Sequence, residues 1–512
     1  VSQPIPFSQW SDAEQWVNTR PAWVPAQHQS RVAAYGVYEE VFWSHVGVKK
    51  IMNRGLDAAD SPLYVPSARV VVDTMDRYVG PGLTFAVNPE IGTPETQVAA
   101  KQWFGKLFAR ERFASRYNAA KRDNLLIKGD MLWHITYDPE KPPGARISLH
   151  TVDPSSYFPY FEDELPPGYE VPNPDPNRLG VVKLVELFPE GDEIVARVQT
   201  YDRVSQPGAI LSSLEVWKQE EWFDPEKSPL RVVIPPTPLP PQVPAIPVYH
   251  IPNGGNGLDF GSSEMRGLLT LQAAMNQGVT DEDLALALMG IGVFATDETT
   301  TMRNEAGEVV PAFIFPGVIL QNAKGLRRVE GVTDVQPYTD HFARLEGYMG
   351  DATGATDAAR GRMEVTEAES GVALRLRLGP TLAKAAIKDQ IITDVHAQMF
   401  YDLAQGWALL DPGDGIPAFQ DVEVVPMLGE KLPVNRKEAV DLWSTLYVAN
   451  LVSAASARKA LAAVGFEFDP AEAELLLAEK VALAAAEGGD PAVDRTTNEV
   501  NGGSGLNTPP EE

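Results

Sequence analysis

Residues Asn253 to Gly290 read NGGNGLDFGSSEMRGLLTLQAAMNQGVTDEDLALALMG. A glycine-rich loop opens directly into a long helical pattern, an order shared by phosphate cradles and by plain backbone hinges. A P-loop needs G-x-x-x-x-G-K-[ST], so that backbone amides and a lysine meet the phosphates, and that string occurs nowhere in the chain. A dinucleotide fingerprint needs G-x-G-x-x-G. Gly255 and Gly257 fit it, but Phe260 occupies the third place and the glycine comes late, at Gly261. The stretch therefore predicts a hinge at Gly254, Gly255 and Gly257, where the missing side chains let the chain turn sharply into a helix.

Outward from this hinge, the chain divides by its hydrophobic period. Before it, Ser30–Val46, Ser67–Gly80 and Thr93–Lys128 carry helical spacing. Pro94 stands at the first helical position of the third, and Trp103, Phe104, Phe108, Phe113 and Tyr117 form an aromatic stripe that reads as core. From Gly129 the period is two. GDMLWHITYD, ARISLHTVD, VVKLVELF, EIVARVQTYDRV and LEVWKQEEWF alternate like antiparallel strands. Ile234–Val248 (IPPTPLPPQVPAIPV) reads as a stiff polyproline-type connector. After the hinge helix come a β-rich insertion (290–335), a short helix, and the loop DATGATDAARGRMEV at 351–365. Thr366 and Glu369 make a capping-box signature for the next helix, which carries Gly379 and Pro380 and is expected to kink there. FQDVEVVPM returns as a strand, further helices start near Asn435 and Asp469, and 488–512 is polar and read as disordered. The sum is an α+β chain.

Composition bounds the function. The chain has 512 residues and a formal net charge of −27, opposite to the basic face of a sequence-reading DNA binder. It has no cysteine, so disulfides, iron–sulfur clusters and thiolate zinc sites are excluded. The seven histidines (28, 45, 134, 150, 250, 341 and 396) form no H-E-x-x-H or other local ligand pair. There is no G-x-S-x-G elbow. Glu367/Glu369 and Asp281/Asp283 read as helix-end and solvated charges. Nothing resembles a signal peptide or a membrane span. No catalytic residue, metal site or cofactor is expected.

The order of segments resembles the portal proteins of long-tailed bacteriophages. The landmarks are YGVYEEVFWSHV, then GDMLWHITYD with ISLHTVDPSSYFPYFED, then PVYHIPN followed by GSSE and an asparagine in mid-helix, and finally ESGVALRLRLGP. The resemblance covers roughly Arg31 to Ala485. The resemblance implies a dodecameric ring forming the DNA channel at one capsid vertex, used in genome packaging, head–tail joining and DNA ejection. In the family's terms, 1–30 is an N-terminal arm and 31–258 a wing with a return strand near 418–434. Residues 259–289 and 336–350 are stem helices, 290–335 is a clip, 351–365 a tunnel loop, 366–406 the kinked helix, 435–487 a crown and 488–512 a tail. The implied partners are further copies of the chain, duplex DNA passing without sequence specificity, the terminase large subunit, head-completion or adaptor proteins, and the major capsid and scaffolding proteins, with no membrane. The implied location is the virion, after synthesis in the host cytoplasm.

Within that scheme, Arg360, Arg362 and Glu364 belong to the channel loop, and Arg303, Lys324, Arg327 and Arg328 to the clip that would meet the motor. The plain alternative for these cations is solvation, or pairing with acids of an adjacent subunit such as Glu364 or Glu367. Gln272, Asn276 and Gln277 on the stem helix are expected to face a wet channel. A ring of such acidic subunits would repel DNA phosphates and ease translocation. The rival readings are another head-morphogenesis protein and a DNA- or nucleotide-processing enzyme with a dispersed site.

Overall fold

In the computed structural model, the described residues are 26–45, 63–166, 168–190, 193–218, 229–254, 260–291, 293–295, 301–303, 309–311, 327–329, 336–362, 371–413, 416–432, 436–449, 451–452, 456–458 and 461. The fold is α+β. The chain divides into two compact units, Val1–Lys431 and Leu432–Glu512. In the second, the described helix Arg436–Val448 stands where Asn435 marks a start. The helix start at Asp469, the capping pair Thr366/Glu369 and the tail 488–512 lie outside the described residues.

The first unit begins with helices α1 (Ala26–Phe42), α2 (Ser67–Tyr78) and α3 (Pro94–Arg110). Helix α2 buries Ala68, Val71, Val72 and Met75, one face of a 3.6-residue period. Helix α3 starts at a capping box in which Thr93 and Thr96 bond each other's backbone amides. The expected single helix to Lys128 is instead broken. Arg112 adopts φ +51°, helix α4 covers Phe113–Ala120, and a π-helical turn covers Lys121–Leu126. The break has a physical use. Strand β3 is the edge of its sheet, and edge backbone groups need partners. Arg110 donates to the carbonyls of Gly144 and Ile147, Arg116 donates to Leu149 O, and Glu111 accepts from Leu149 N.

Strand β1 (Thr84–Val87) lies between α2 and α3, and strands β2 (Asp130–Tyr137), β3 (Ile147–Val152), β4 (Tyr157–Phe161), β5 (Leu179–Glu190), β6 (Glu193–Asp202), β7 (Leu211–Lys218), β8 (Arg231–Pro238) and β9 (Val248–Pro252) follow α4. They include the five alternating segments read from the sequence. Strands β4 to β8 form an antiparallel meander in chain order, and β3-β2-β9 form a second sheet. The proline tract departs from the connector reading. Its first part is strand β8, paired to β7 and exposed along its length. Proline has no amide to give a ladder and is tolerated at a sheet edge, which is where β8 lies.

The main core joins helices α2 to α4 to the β3-β2-β9 sheet and to the long helix of the C-terminal half of this unit. The aromatic stripe is core, as expected. Phe104, Phe113 and Tyr117 are buried, and Phe113 stacks on Phe108 and Trp133 with centroids 4.0 and 4.9 Å away.

Candidate functional site

Strand β9 returns beside β2 and brings the hinge against the start of that strand. Asn253 N donates to Gly129 O at 2.8 Å. Gly129 adopts φ +104°, and a Cβ there would lie 2.8 Å from Ser263 N. A Cβ on Gly261 would collide with Gly129 O and Asn253 N, both backbone atoms. Gly129 and Gly261 thus permit three backbone segments to cross. Gly254 takes φ +93°, as a sharp turn requires; Gly255 and Gly257 lie outside the described residues.

Two buried polar groups fasten this crossing, and neither stood out in the sequence. Asp130 accepts from Tyr35 Oη at 2.5 Å, from Gly261 N at 2.7 Å and pairs with His250 Nε2 at 2.7 Å. Glu264 pairs with Lys384 at 2.6 Å and Lys388 at 2.5 Å, and Lys388 also donates to Asn253. Burial pushes the Glu264 carboxyl upward, but the two lysines outweigh it and hold it below the ordinary glutamate range. The available signal was the i,i+4 spacing of the lysines, common on solvated helix faces too.

The expected stem helix from 259 begins later, at Leu269, because the residues before it are tied elsewhere: Ser262 N donates to Asn253 O and Glu264 N to Leu126 O. Ser263 donates to Ile127 O and accepts from Met265 N. Helix α5 is Leu269–Ile291 and its neighbour α6 is Gln336–Thr353. They approach closely at Gly278, where a Cβ would come 2.9 Å from the Phe342 ring. Gln272 and Asn276 do not face a wet channel. Both are fully buried and bond backbone after α1 and around the start of α2: Gln272 accepts from Ala68 N and donates to Val65 O, and Asn276 accepts from Val65 N and donates to Ser44 O. Thr280 receives Leu63 N. The extended residues before α2 and its first turn have amides with no ladder or helix partner, and these side chains supply one. Gln277 is partly buried and donates to Asp281 on its own helix.

Between α5 and α6 lie strands β10 (Val293–Ala295), β11 (Thr301–Arg303), β12 (Val309–Pro311) and β13 (Arg327–Val329), paired β10-β13 and β11-β12. Arg327 and Arg328 stand in register with Ala295 and Phe294, and Arg303 with Val309; Lys324 lies outside the described residues. After α6, residues 354–362 form a compact turn that packs down, with Ala355 and Ala359 buried. Thr381 Oγ1 donates to Gly354 O at 2.6 Å. Arg360 donates to Glu346 O at 3.1 Å and Asp357 Oδ1 at 2.6 Å, and only 5% of its side chain is exposed. Arg362 makes a two-pronged bond to the Glu346 carboxylate, one arm at 3.0 Å. Glu364 lies outside the described residues. Both arginines pair with acids of their own chain, at positions other than those weighed from the sequence.

Helix α7 (Gly371–Asp402) runs unbroken through Gly379 and Pro380. It buries Leu378, Thr381, Ala385, Lys388, Ile392, His396 and Met399. Its opposite stripe, Leu376, Pro380, Ala383, Ile387 and Gln390, is exposed at alternating spacings of four and three, the spacing of a helix-packing seam. Leu376 is 74% and Ile387 65% exposed. Tyr348 on α6 and Leu286 on α5 are exposed as well. Among the described residues, no helix is long and apolar enough to cross a membrane, and no group of three or more His, Asp or Glu is placed to hold a metal ion.

No protein-family model and no curated protein matches the chain. Among solved structures, it is similar to a chain in the neck of a native gene transfer agent (GTA) particle computed with C12 symmetry. That match has 13% identity and a TM-score of 0.40, and covers 80% of this chain and 97% of that one. It is also similar to a chain in the neck of an empty GTA particle computed with C6 symmetry (13% identity, TM-score 0.40, covering 86% and 95%). A third is in the virion of a native GTA particle (12% identity, TM-score 0.40, covering 86% and 95%).

Proposed function

We propose that the chain is a non-enzymatic, ring-forming subunit of a phage-type portal, which gives duplex DNA a channel at one capsid vertex during packaging and ejection. The observation that carries this reading is an order of elements. Two neighbouring helices, α5 and α6, are separated by a small β-rich excursion and followed by a compact turn and a 32-residue helix. The sequence resemblance implies the same order for stem, clip, tunnel loop and long helix, and we take these elements for them. Self-association is further supported by the exposed stripe of α7 that carries Leu376 and Ile387 at helix-packing spacing. A net charge of −27 per chain suits a conduit from which DNA must slide free. The dodecameric count and the docking of terminase, adaptor, capsid and scaffolding proteins belong to the same proposal, with the clip as the motor-facing element.

Electron microscopy and native mass spectrometry of the purified chain test it. Closed rings with a central hole are expected. Leu376→Asp with Ile387→Asp should dissolve the rings while leaving the fold intact, because both side chains are exposed. A monomer at all concentrations would overturn the reading.

A further inference from the structure

The two arginines of the turn after α6 are withheld from solvent anions by that helix. Glu346 engages both: its carboxylate forks to Arg362 and its backbone carbonyl accepts from Arg360. Asp357 takes the other arm of Arg360. Gly350 makes the notch for this arrangement, since a Cβ there would lie 2.7 Å from an Arg360 terminal nitrogen and 3.2 Å from its Cζ. The two cations are also unlike each other. Arg360 is 5% exposed and rests on the last turn of α6, where a cation complements the carbonyl end of a helix. Arg362 is 44% exposed and meets Glu346 at the solvent boundary. An exposed ion pair is worth only about 0–1 kcal/mol, so the fork at Arg362 is readily undone, while the buried Arg360 is not.

We propose that Glu346 is a latch: its fork to Arg362 keeps that guanidinium from the phosphates of nucleic acid, and release of the fork frees one cation per subunit while Arg360 stays docked as the anchor of the turn. The inference rests on the portal reading for its biological use but not for its test. Phosphate oxygens compete with a carboxylate for the same planar donor fork. DNA passing close to the turn would therefore exchange one partner for another, with little net cost and little retention.

The test is binding of a short labelled DNA duplex to the full-length chain, followed against salt concentration. Glu346→Gln removes the competing carboxylate. It should tighten binding by about fivefold at low salt, the size expected for one exposed charge contact. It should also steepen the dependence of log affinity on log salt, as each added phosphate contact does. Asp351→Asn, an exposed acid one turn on in the same helix, makes the same change in net charge and should not steepen the slope. Glu346→Gln combined with Arg362→Ala should return to the wild-type slope. Arg362→Lys keeps the charge but loses the fork, and serves as the second variant should Glu346→Gln fail to fold; it should shift binding in the same direction. An unchanged slope in a folded Glu346→Gln or Arg362→Lys chain overturns the latch, as does a double variant that behaves like Glu346→Gln alone. Ring formation is scored separately on the same samples: absent rings would sink the portal reading, whereas the salt slope alone decides the latch.

Discussion

Replacing Gly261 by alanine probes the crossing that sets the hinge. A Cβ at this position would stand closer than 3.0 Å to Gly129 O and Asn253 N, and both are backbone atoms that no rotamer change can move aside. Overpacking of this kind costs about 1–3 kcal/mol. Any shift that relieves it also moves Gly261 N away from Asp130 Oδ1, now at 2.7 Å, and a hydrogen bond to a charged group contributes about 1.5–3 kcal/mol. Against this, Gly→Ala lowers the entropy of the unfolded chain and returns about 0.4–1 kcal/mol. The expected net loss is about 1.5–5.5 kcal/mol. The assay is denaturant unfolding followed by tryptophan fluorescence, since Trp103 and Trp133 are both buried in the main core. Gly105→Ala is the matched control. Gly105 lies inside α3, and a Cβ there meets nothing within 4 Å, so that variant should gain up to about 1 kcal/mol. A Gly261→Ala chain as stable as its Gly105→Ala counterpart would refute the reasoning, because the crossing would then be loose.

Glu264→Gln should destabilise the first unit by about 3 kcal/mol in thermal or denaturant unfolding, since it leaves Lys388 buried without its counter-charge; no loss would mean the lysines find other partners. Acid should destabilise the fold through its buried histidines. Burial lowers His396 to about 4 and His28 and His134 each to about 3. The unfolded state therefore binds more protons; stability is full above the ordinary histidine value of about 6.5 and is lost as pH falls through the folded values. His396 alone accounts for about 3 kcal/mol, so His396→Gln should flatten the stability–pH curve between about pH 6.5 and 4, and an unchanged slope counts against this assignment. Reversing Arg327 and Arg328 to Glu on β13 should leave assembled rings intact but weaken packaging in a reconstituted motor assay; unaltered packaging would reduce the pair to solvated charge.

Much of the fold was legible from local pattern. The five alternating strands, the aromatic core stripe and the β-rich insertion with helices on both sides follow from periods of 2 and 3.6 residues, and those periods are a property of sequence alone. The resemblance likewise needed only the order of such segments. What the sequence could not decide was the partner of each polar group. Gln272 and Asn276 look alike whether they face water or clamp a distant backbone, because hydrogen-bond partners some 200 residues away leave no local periodicity. Lys384 and Lys388 have the spacing of a solvated stripe, yet they meet a buried glutamate. The helix break at Arg112 and the strand in the proline tract arise from sheet edges, which exist only once distant strands have paired. The turn arginines were visible as charges, but their capture by Glu346 depends on the chain folding back onto its own helix, and only the tertiary structure decides that.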